Sequence, residues 1–275
     1  MTPDDPFTSS QKPLTGIVLE NRQISGNYFH MSIRTGKEFL ATLPGQFLMI
    51  RVIGTDSPLL ARPMSIYHVK KHRNGALVEF LYRVVGKGTS LFSRLRKADS
   101  VGIIGPLGKG FEILPEKRQI VFVAGGMGVA PLSFLAQTYK ELPKSVSRDI
   151  CIYVGAQSKT CHVGIDTLEK TGVVKLSSDD GSCGYRGFVT DLFAQDVDFY
   201  NKEEAVVYAC GPTSMLKEIK QILRNRHLAC QVSMEQRMAC GIGACLGCSI
   251  SIKDGSYRRV CVEGPVFDLE DLEFE

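Results

Sequence analysis

Gln119-Ile-Val-Phe-Val-Ala124-Gly125-Gly126-Met127-Gly128-Val129-Ala130-Pro131-Leu132 passes from an unbroken apolar run, through a glycine turn, into an apolar pattern of helical spacing that continues to Tyr139. The run reads as a strand buried on both faces, and a strand feeding directly into a helix opens a βαβ unit. The chain beyond it keeps this alternation. Asp149–Ala156, Val173–Ser177, Ala205–Ala209 and Ala229–Met234 read as strands, and Asp166–Thr171, Phe188–Phe193 and Thr213–Asn225 as the helices between them. Such an order predicts a parallel sheet with right-handed crossovers, whose ligands sit at the carboxyl ends of the strands. Two of those ends have unusual sequence. Gly125-Gly126-x-Gly128 lets a dinucleotide phosphate approach a helix N-terminus, although it is not the Gly-x-Gly-x-x-Gly pattern and on its own also reads as a structural turn. Cys210-Gly211-Pro212, taken alone, is a buried thiol followed by a turn. At two other ends, Asp179-Asp180-Gly181 is either a cleft wall or a solvated acidic turn, and Gln157-Ser158-Lys159 offers a place for a ribose, with Lys159 able to pair with a 2′-phosphate.

Upstream the period changes to that of strands. Gly16–Glu20, Tyr28–Ile33, Phe47–Val52, Met64–Val69, Ala76–Val85 and Val101–Ile104 are six short β-rich runs bounded by turn residues, which predicts a small six-stranded antiparallel barrel. One helix is expected over Ser90–Lys97, where Leu91, Phe92 and Leu95 recur at helical spacing. Arg62-Pro63-Met64-Ser65 opens the fourth run, and Leu81-Tyr82-Arg83 closes the fifth. Gly88-Thr89 stands just before the expected helix, where free N–H groups attract phosphate and Arg62 can add a charge-assisted contact.

Downstream of the last strand lies Cys240-Gly-Ile-Gly-Ala-Cys245-Leu-Gly-Cys248, with Cys261 beyond a short polar hairpin. Four thiolates ordered Cys-x4-Cys-x2-Cys…Cys have the plant-type spacing of a 2Fe-2S cluster. Gly241, Gly243 and Gly247 suit a backbone that wraps the cluster and turns its N–H groups toward sulfur. Structural zinc usually takes its thiolates from two separated short-spaced pairs, and three cysteines within nine residues pair poorly as disulfides. An inert scaffold whose cysteines sense redox state or hold zinc is the reading of another class.

The composition permits several small domains and excludes other functions. At 275 residues the chain suits one large or two to three small domains, and a net charge of +4, dispersed along the chain, gives no footprint for nucleic acid. Residues 1–13 begin with acids and prolines and lack the apolar segment of a signal peptide, and no apolar run reaches membrane-spanning length. A cytoplasmic location is therefore expected. Cys151, Cys161, Cys183 and Cys230 read mostly as small apolar fillers, and His30, His68, His72, His162 and His227 are scattered and read as surface or packing residues. Neither a Ser-His-Asp triad nor a paired-carboxylate site stands out.

Taken in order, Arg-Pro-x-Ser, Tyr-Arg…Gly-x-Gly-Thr, Gly105-Pro-Leu-Gly108, Gly-Gly-x-Gly-x-Ala-Pro and Cys-Gly-Pro resemble the ferredoxin-NADP reductase superfamily. With the cysteine motif and Arg259-Val-Cys261-Val-Glu-Gly-Pro-Val-Phe267 added, the chain resembles the family of electron-transfer subunits of NAD-dependent dihydroorotate dehydrogenase from about Leu14 to Phe274. The resemblance implies a tail (1–13), an FAD-binding β-barrel (14–115), an NAD-binding α/β domain (116–234) and a 2Fe-2S module (235–275). It implies that Arg62, Pro63, Met64 and Ser65 hold the isoalloxazine and ribityl-phosphate region, that Leu81, Tyr82 and Arg83 touch the flavin, and that Gly88 and Thr89 meet the pyrophosphate. FMN in place of FAD stays open at this point, because no adenine platform is legible. Gly125, Gly126, Gly128 and Pro131 would form the nicotinamide-nucleotide turn; Cys210, as the catalytic residue, would edge the nicotinamide ring, with Gly211, Pro212 and Met215 beside it. Cys240, Cys245, Cys248 and Cys261 would bind the cluster. The implied partner is an FMN-containing subunit that oxidises dihydroorotate in pyrimidine biosynthesis, in a hetero-oligomer whose electrons reach NAD+ through this chain. The same machinery serving a hydrogenase or a free ferredoxin is the rival reading.

Overall fold

Turn residues and alternating polarity in the first hundred positions produce a curled antiparallel sheet. The computed structural model describes residues 13–55, 57–143 and 146–274, so the tail expected over residues 1–13 lies almost wholly outside them. The strands are β1 (Leu14–Ser25), β2 (Tyr28–Thr35), β3 (Phe47–Val52), β4 (Arg62–Ser65), β5 (His68–His72), β6 (Gly75–Arg83) and β7 (Ser100–Leu107), with the short helix α1 (Lys87–Phe92) between the last two. They pair in the order β4-β3-β7-β1-β2-β6-β5. This gives seven strands where six were expected, because Met64–Val69 is two. At the break, the Ile66 N–H donates to the Gln46 carbonyl just before β3, while the Tyr67 N–H donates to Glu79 on β6. The two edges of the sheet are thus joined by a two-residue corner, and the sheet curls into a half-barrel around Met31, Ile33, Leu48, Ile50, Val78 and Phe80.

The second sheet follows from apolar runs too continuous to leave a face in water. Its elements are β8 (Gln119–Gly125), α2 (Val129–Glu141), β9 (Asp149–Ala156), α3 (Ile165–Leu168), β10 (Val173–Ser178), β11 (Tyr185–Arg186), α4 (Val189–Asp196), β12 (Ala205–Cys210), α5 (Thr213–Leu223) and β13 (Ala229–Ser233). β8 and β12 lie side by side at its centre and are buried along nearly their whole length. Helices cover both faces, as a parallel sheet requires. The C-terminal hairpin β14 (Ser249–Ser251) and β15 (Tyr257–Arg259) stands between Cys248 and Cys261, as the polar spacer predicts. The last strand, β16 (Val266–Asp268), was not legible in the sequence. It pairs antiparallel with β13 and completes the order β11-β10-β9-β8-β12-β13-β16.

Buried polar groups tie the sheet to the segment that leaves the half-barrel. The hydroxyls of Tyr139 and Tyr208 meet at 2.6 Å, Tyr208 donates to the Glu112 carbonyl at 2.8 Å, and the Leu114 N–H donates to Tyr139 at 2.9 Å. Burial raises the pKa of both phenols, so the network stays neutral over the physiological range. Removing one hydroxyl leaves a buried donor and an acceptor under-satisfied. Tyr208→Phe is expected to lower unfolding stability by about 1–3 kcal/mol, as read by urea denaturation, with no change in the thiol loop.

Candidate flavin and nicotinamide cleft and thiol loop

The carboxyl ends of β8, β9, β10 and β12 open toward the half-barrel across a cleft of about 1030 Å³. Arg62, Pro63, Met64, Ser65, Leu81, Tyr82, Arg83 and Thr89 line one side of it, and Gly125, Gly126, Pro212 and Met215 the other. Two motifs far apart in sequence are therefore brought face to face. On the barrel side, Arg83 lies over the Tyr28 ring at 5.6 Å, while the Tyr82 ring is buried in the half-barrel core against Phe29, Phe80 and Phe92 and its hydroxyl donates to Asn21 at 2.9 Å. Arg62 donates to the Leu60 carbonyl at 2.8 Å and lies where a Gly88 side chain would be, 2.9 Å from Nε.

Helix α1 corrects one expectation. It starts at Lys87 and ends at Phe92, so Gly88 and Thr89 lie within its first turn and not ahead of it. The Thr89 hydroxyl accepts from the N–H groups of Val85 (3.0 Å) and Gly86 (3.2 Å) and caps the helix itself. Gly88 does not line the cleft.

On the other side, β8 and β12 are paired in register, Ala124 opposite Cys210, so their two turns press against each other. A Cβ at Gly128 would stand 1.9 Å from the Cys210 carbonyl oxygen, and one at Gly125 only 2.7 Å from Met215 Sδ. These two glycines allow turn to pack on turn. Gly126 alone has open space before it, at a φ of +54° that favours glycine. Gly128, Pro131, Cys210 and Gly211 lie behind the cleft surface; Cys210 is 2% exposed, and burial, followed by the nearby Glu235 carboxylate, pushes its thiol pKa well up. Asp179 and Gln157 line the cleft.

Several lining residues were missed. Met234, Glu235, Gln236 and Met238 follow directly on β13, at a strand end adjacent to the Cys-Gly-Pro strand, and that adjacency was the available signal. Glu235 lines the cleft, and desolvation raises its carboxyl pKa. Phe188 and Asp191 arrive with α4, which packs Val189 against Gly155, a long-range contact with no local sequence mark. Cys161, expected as a filler, is half-buried on the cleft wall, and the Ser158 hydroxyl donating to its sulfur at 3.4 Å lowers its pKa.

The four C-terminal cysteines form two pairs. Cys240 and Cys245 lie within hydrogen-bonding reach of each other, as do Cys248 and Cys261. Among the described residues no three His, Cys, Asp or Glu side chains gather as ligands of one metal ion. In a 2Fe-2S cluster each iron takes two protein thiolates, so the paired arrangement fits the cluster. Backbone N–H groups face the sulfurs: Ile242 and Cys245 approach Cys240 Sγ at 3.5 and 3.4 Å, and Gly243 approaches Cys261 Sγ at 3.2 Å. Burial raises the Cys240 pKa, but these donors together with Ala244 outweigh it and bring the thiol down to about 7. Gly241 and Gly243 have φ of +73° and +82° as the wrapping requires. Gly247 does not; the neighbouring left-handed residue is Leu246. The loop is seated on the half-barrel, for a Cβ at Gly241 would stand 2.5 Å from Met49 Cγ.

Comparison with known proteins agrees with this architecture. Residues 235–273 match a family model for the iron-sulfur cluster binding domain of dihydroorotate dehydrogenase B, and residues 122–221 one for the oxidoreductase NAD-binding domain. The electron transfer subunit of dihydroorotate dehydrogenase B (NAD(+)) from Desulforamulus reducens is 36% identical over 91% of this chain and 94% of its own length. The chain belongs to this family of electron transfer subunits. Its counterpart from Clostridium acetobutylicum is 38% identical over 91% of this chain and 93% of that protein. Among solved structures, an NADH-dependent reduced ferredoxin-NADP oxidoreductase superposes with a TM-score of 0.80 at 27% identity, covering 94% of this chain and 89% of the other. A Neisseria gonorrhoeae ferredoxin NADP+ reductase with bound FAD and NADP shares the fold, with a TM-score of 0.64 at 15% identity over 78% of this chain and 91% of its own.

None of the four C-terminal cysteines lines the cleft, which predicts separable losses. Cys245→Ser should abolish stoichiometric iron while leaving flavin content at the wild-type level, read by iron analysis and by flavin released on denaturation. Loss of flavin with retention of iron would contradict the assignment.

Proposed function

We propose that this chain is the electron-transfer subunit of an NAD-dependent dihydroorotate dehydrogenase, exchanging electrons between an FMN-bearing, dihydroorotate-oxidising partner and NAD(H) in pyrimidine biosynthesis. The observation that carries the reading is that one cleft is walled by the Arg-Pro-Met-Ser and Leu-Tyr-Arg residues on one side and by Gly125, Gly126 and Pro212 on the other, while the loop that bears the four paired thiols is seated through Gly241 on Met49 of β3. When bound, FAD in such a cleft handles electrons both in pairs, as nicotinamide requires, and singly, as a 2Fe-2S centre requires.

The division of labour we infer assigns residues 14–115 to the flavin, 116–234 to the nicotinamide nucleotide and 235–275 to the cluster. Arg62 supplies the cation for flavin phosphates, Pro63 to Ser65 and Leu81 to Arg83 form the bed for the ring system, and Gly88 and Thr89 shape the turn beside it. Gly126 admits the nucleotide, while Gly125, Gly128, Pro131, Gly211 and Pro212 hold the two turns in contact. Met215 supports both turns from α5. Cys210, buried and neutral, shapes the floor beneath the nicotinamide and does not act as a thiolate nucleophile. Cys240, Cys245, Cys248 and Cys261 hold the cluster, and the N–H groups facing their sulfurs stabilise the negative charge there. No helix among the described residues is long and apolar enough to cross a membrane, and we place the subunit in the cytoplasm, where its free thiols stay reduced.

Three measurements test the reading. Protein prepared without air and reduced with dithionite should give the electron paramagnetic resonance signal of a binuclear iron centre, and NADH alone should bleach the flavin absorbance. Purification from native extract should bring along an FMN-containing, dihydroorotate-oxidising subunit; a hydrogenase subunit in its place would overturn the choice of pathway.

A further inference from the structure

An arginine at the end of the C-terminal hairpin reaches back into the thiol loop. Arg259 is the last residue of β15, two positions before Cys261, and its main-chain N–H (2.7 Å) and its Nε (3.1 Å) both donate to the same oxygen of Glu263. Its Nη1 donates to the Gly243 carbonyl at 3.3 Å. We propose that Arg259, clasped by Glu263, is a positioning residue for the cluster: it fixes the glycine whose two flanking peptides donate to sulfurs of both thiol pairs, and so sets the potential at which the centre takes up its electron. This rests on the four cysteines holding a 2Fe-2S cluster, as proposed above, and adds a residue that tunes it.

Gly243 is where such a brace is needed. Its N–H approaches the sulfur of Cys261, one of the two buried thiols, at 3.2 Å, and among the described residues it is the one backbone donor within reach of that pair. Its carbonyl belongs to the next peptide, whose N–H, on Ala244, is directed at Cys240 Sγ of the more exposed pair. A glycine at a φ of +82° has no side chain to confine either peptide, so both donors take their direction from contacts outside the loop. Those contacts are close: a Cβ at Gly243 would stand 2.8 Å from Val262 Cγ2 and 3.2 Å from Arg259 Nη1. A guanidinium on the carbonyl also polarises the peptide, which strengthens its N–H as a donor to sulfur.

The clasp gives Arg259 a role in position more than in charge. The N–H groups of Glu263 and Val262 return to the Arg259 carbonyl at 2.9 and 3.1 Å, so Cys261 lies inside a turn that Arg259 and Glu263 close through main chain and side chain alike. Both side chains are largely buried, at 24% and 27% exposure, and Arg258 approaches the other Glu263 oxygen at 3.9 Å. With the carboxylate so near, the guanidinium brings little net charge to the sulfurs; its planar fork is what reaches Glu263 and Gly243 together. The reduced cluster carries one more negative charge than the oxidised one, so each N–H aimed at a thiolate sulfur stabilises the reduced state more. Loss of the brace therefore lowers the midpoint potential.

The test is an anaerobic redox titration of the purified holoprotein, followed by electron paramagnetic resonance, on wild type, Arg259→Lys and Glu263→Ala, with iron content and a thermal melt measured for each. Arg259→Lys keeps the charge but has no fork, and should lower the reduced-to-oxidised ratio at a fixed potential by on the order of tenfold, which is about 59 mV for one electron. Glu263→Ala removes a negative charge beside the centre, which alone would raise the potential; with the clasp gone, the midpoint should fall instead. Both variants should keep stoichiometric iron and a cooperative melt. An unchanged midpoint in Arg259→Lys, a rise in Glu263→Ala, or loss of iron or of the cooperative melt in Arg259→Lys overturns the proposal. Wild-type protein that gives no binuclear iron signal brings down the cluster assignment itself, which is a separate outcome.

Discussion

The arrangement depends on one short crossing of the chain, Gly264-Pro265-Val266, where the half-barrel, the parallel sheet and the thiol loop meet. The Gly264 carbonyl accepts from the Lys109 N–H just past β7, Pro265 bridges to Lys109 and accepts from the Met234 N–H, and Val266 begins the pairing of β16 with β13. The contact is close enough that a Cβ at Gly108 would stand 2.6 Å from the Gly264 oxygen, and one at Gly45 only 2.9 Å from Val266. Pro265 also lines the cleft. The crossing therefore fixes the distance between the two cleft walls while anchoring the return of the thiol loop. A displaced Gly264 would disturb all three modules together.

This explains which features were legible. The runs Phe47–Val52 and Asp149–Ala156 coincide with β3 and β9 to the residue, because a central strand is marked by its own continuous apolar content. The cysteine spacing and both glycine turns were visible for the same reason, each being a local pattern with a local physical cause. What stayed hidden was set by distant partners. Met64–Val69 has the composition of one strand, but its two halves hydrogen-bond to opposite edges of the sheet. β16 has three residues and exists because β13 would otherwise present a bare edge. The helix expected over Ser90–Lys97 lies upstream, at Lys87–Phe92, because the Thr89 side chain caps it from within.

The glycines of the first turn have a packing role that the sequence did not show. In sequence, Gly125-Gly126-x-Gly128 suggested space for a phosphate. In the structure, two of the three glycines are needed because β8 and β12 carry adjacent turns whose backbones touch, and only Gly126 faces open space. Small side chains at strand ends serve packing and ligand approach alike, and register decides which. Gly247 makes the complementary point, since the left-handed position beside it is taken by Leu246, a residue that sequence reasoning would not have placed there.

The connection from β13 to Cys240 bears on how the thiol loop can behave. A mobile carrier would hang on a linker free of contacts, but Met234, Glu235, Gln236 and Met238 themselves form part of the cleft wall, and Met238 packs on the apolar core that also takes in Cys248 and Cys261. That core includes Phe47 and Met49, which share one face of β3, Phe47 on the cleft and Met49 under Gly241. Swinging the loop away would thus expose buried apolar surface and open the cleft at the same time, at a cost of roughly 1.5–3 kcal/mol for each large side chain uncovered. The fold instead holds thiol loop and cleft as one packed body, so the parts left free to arrive and depart are the nicotinamide nucleotide and the partner's surface.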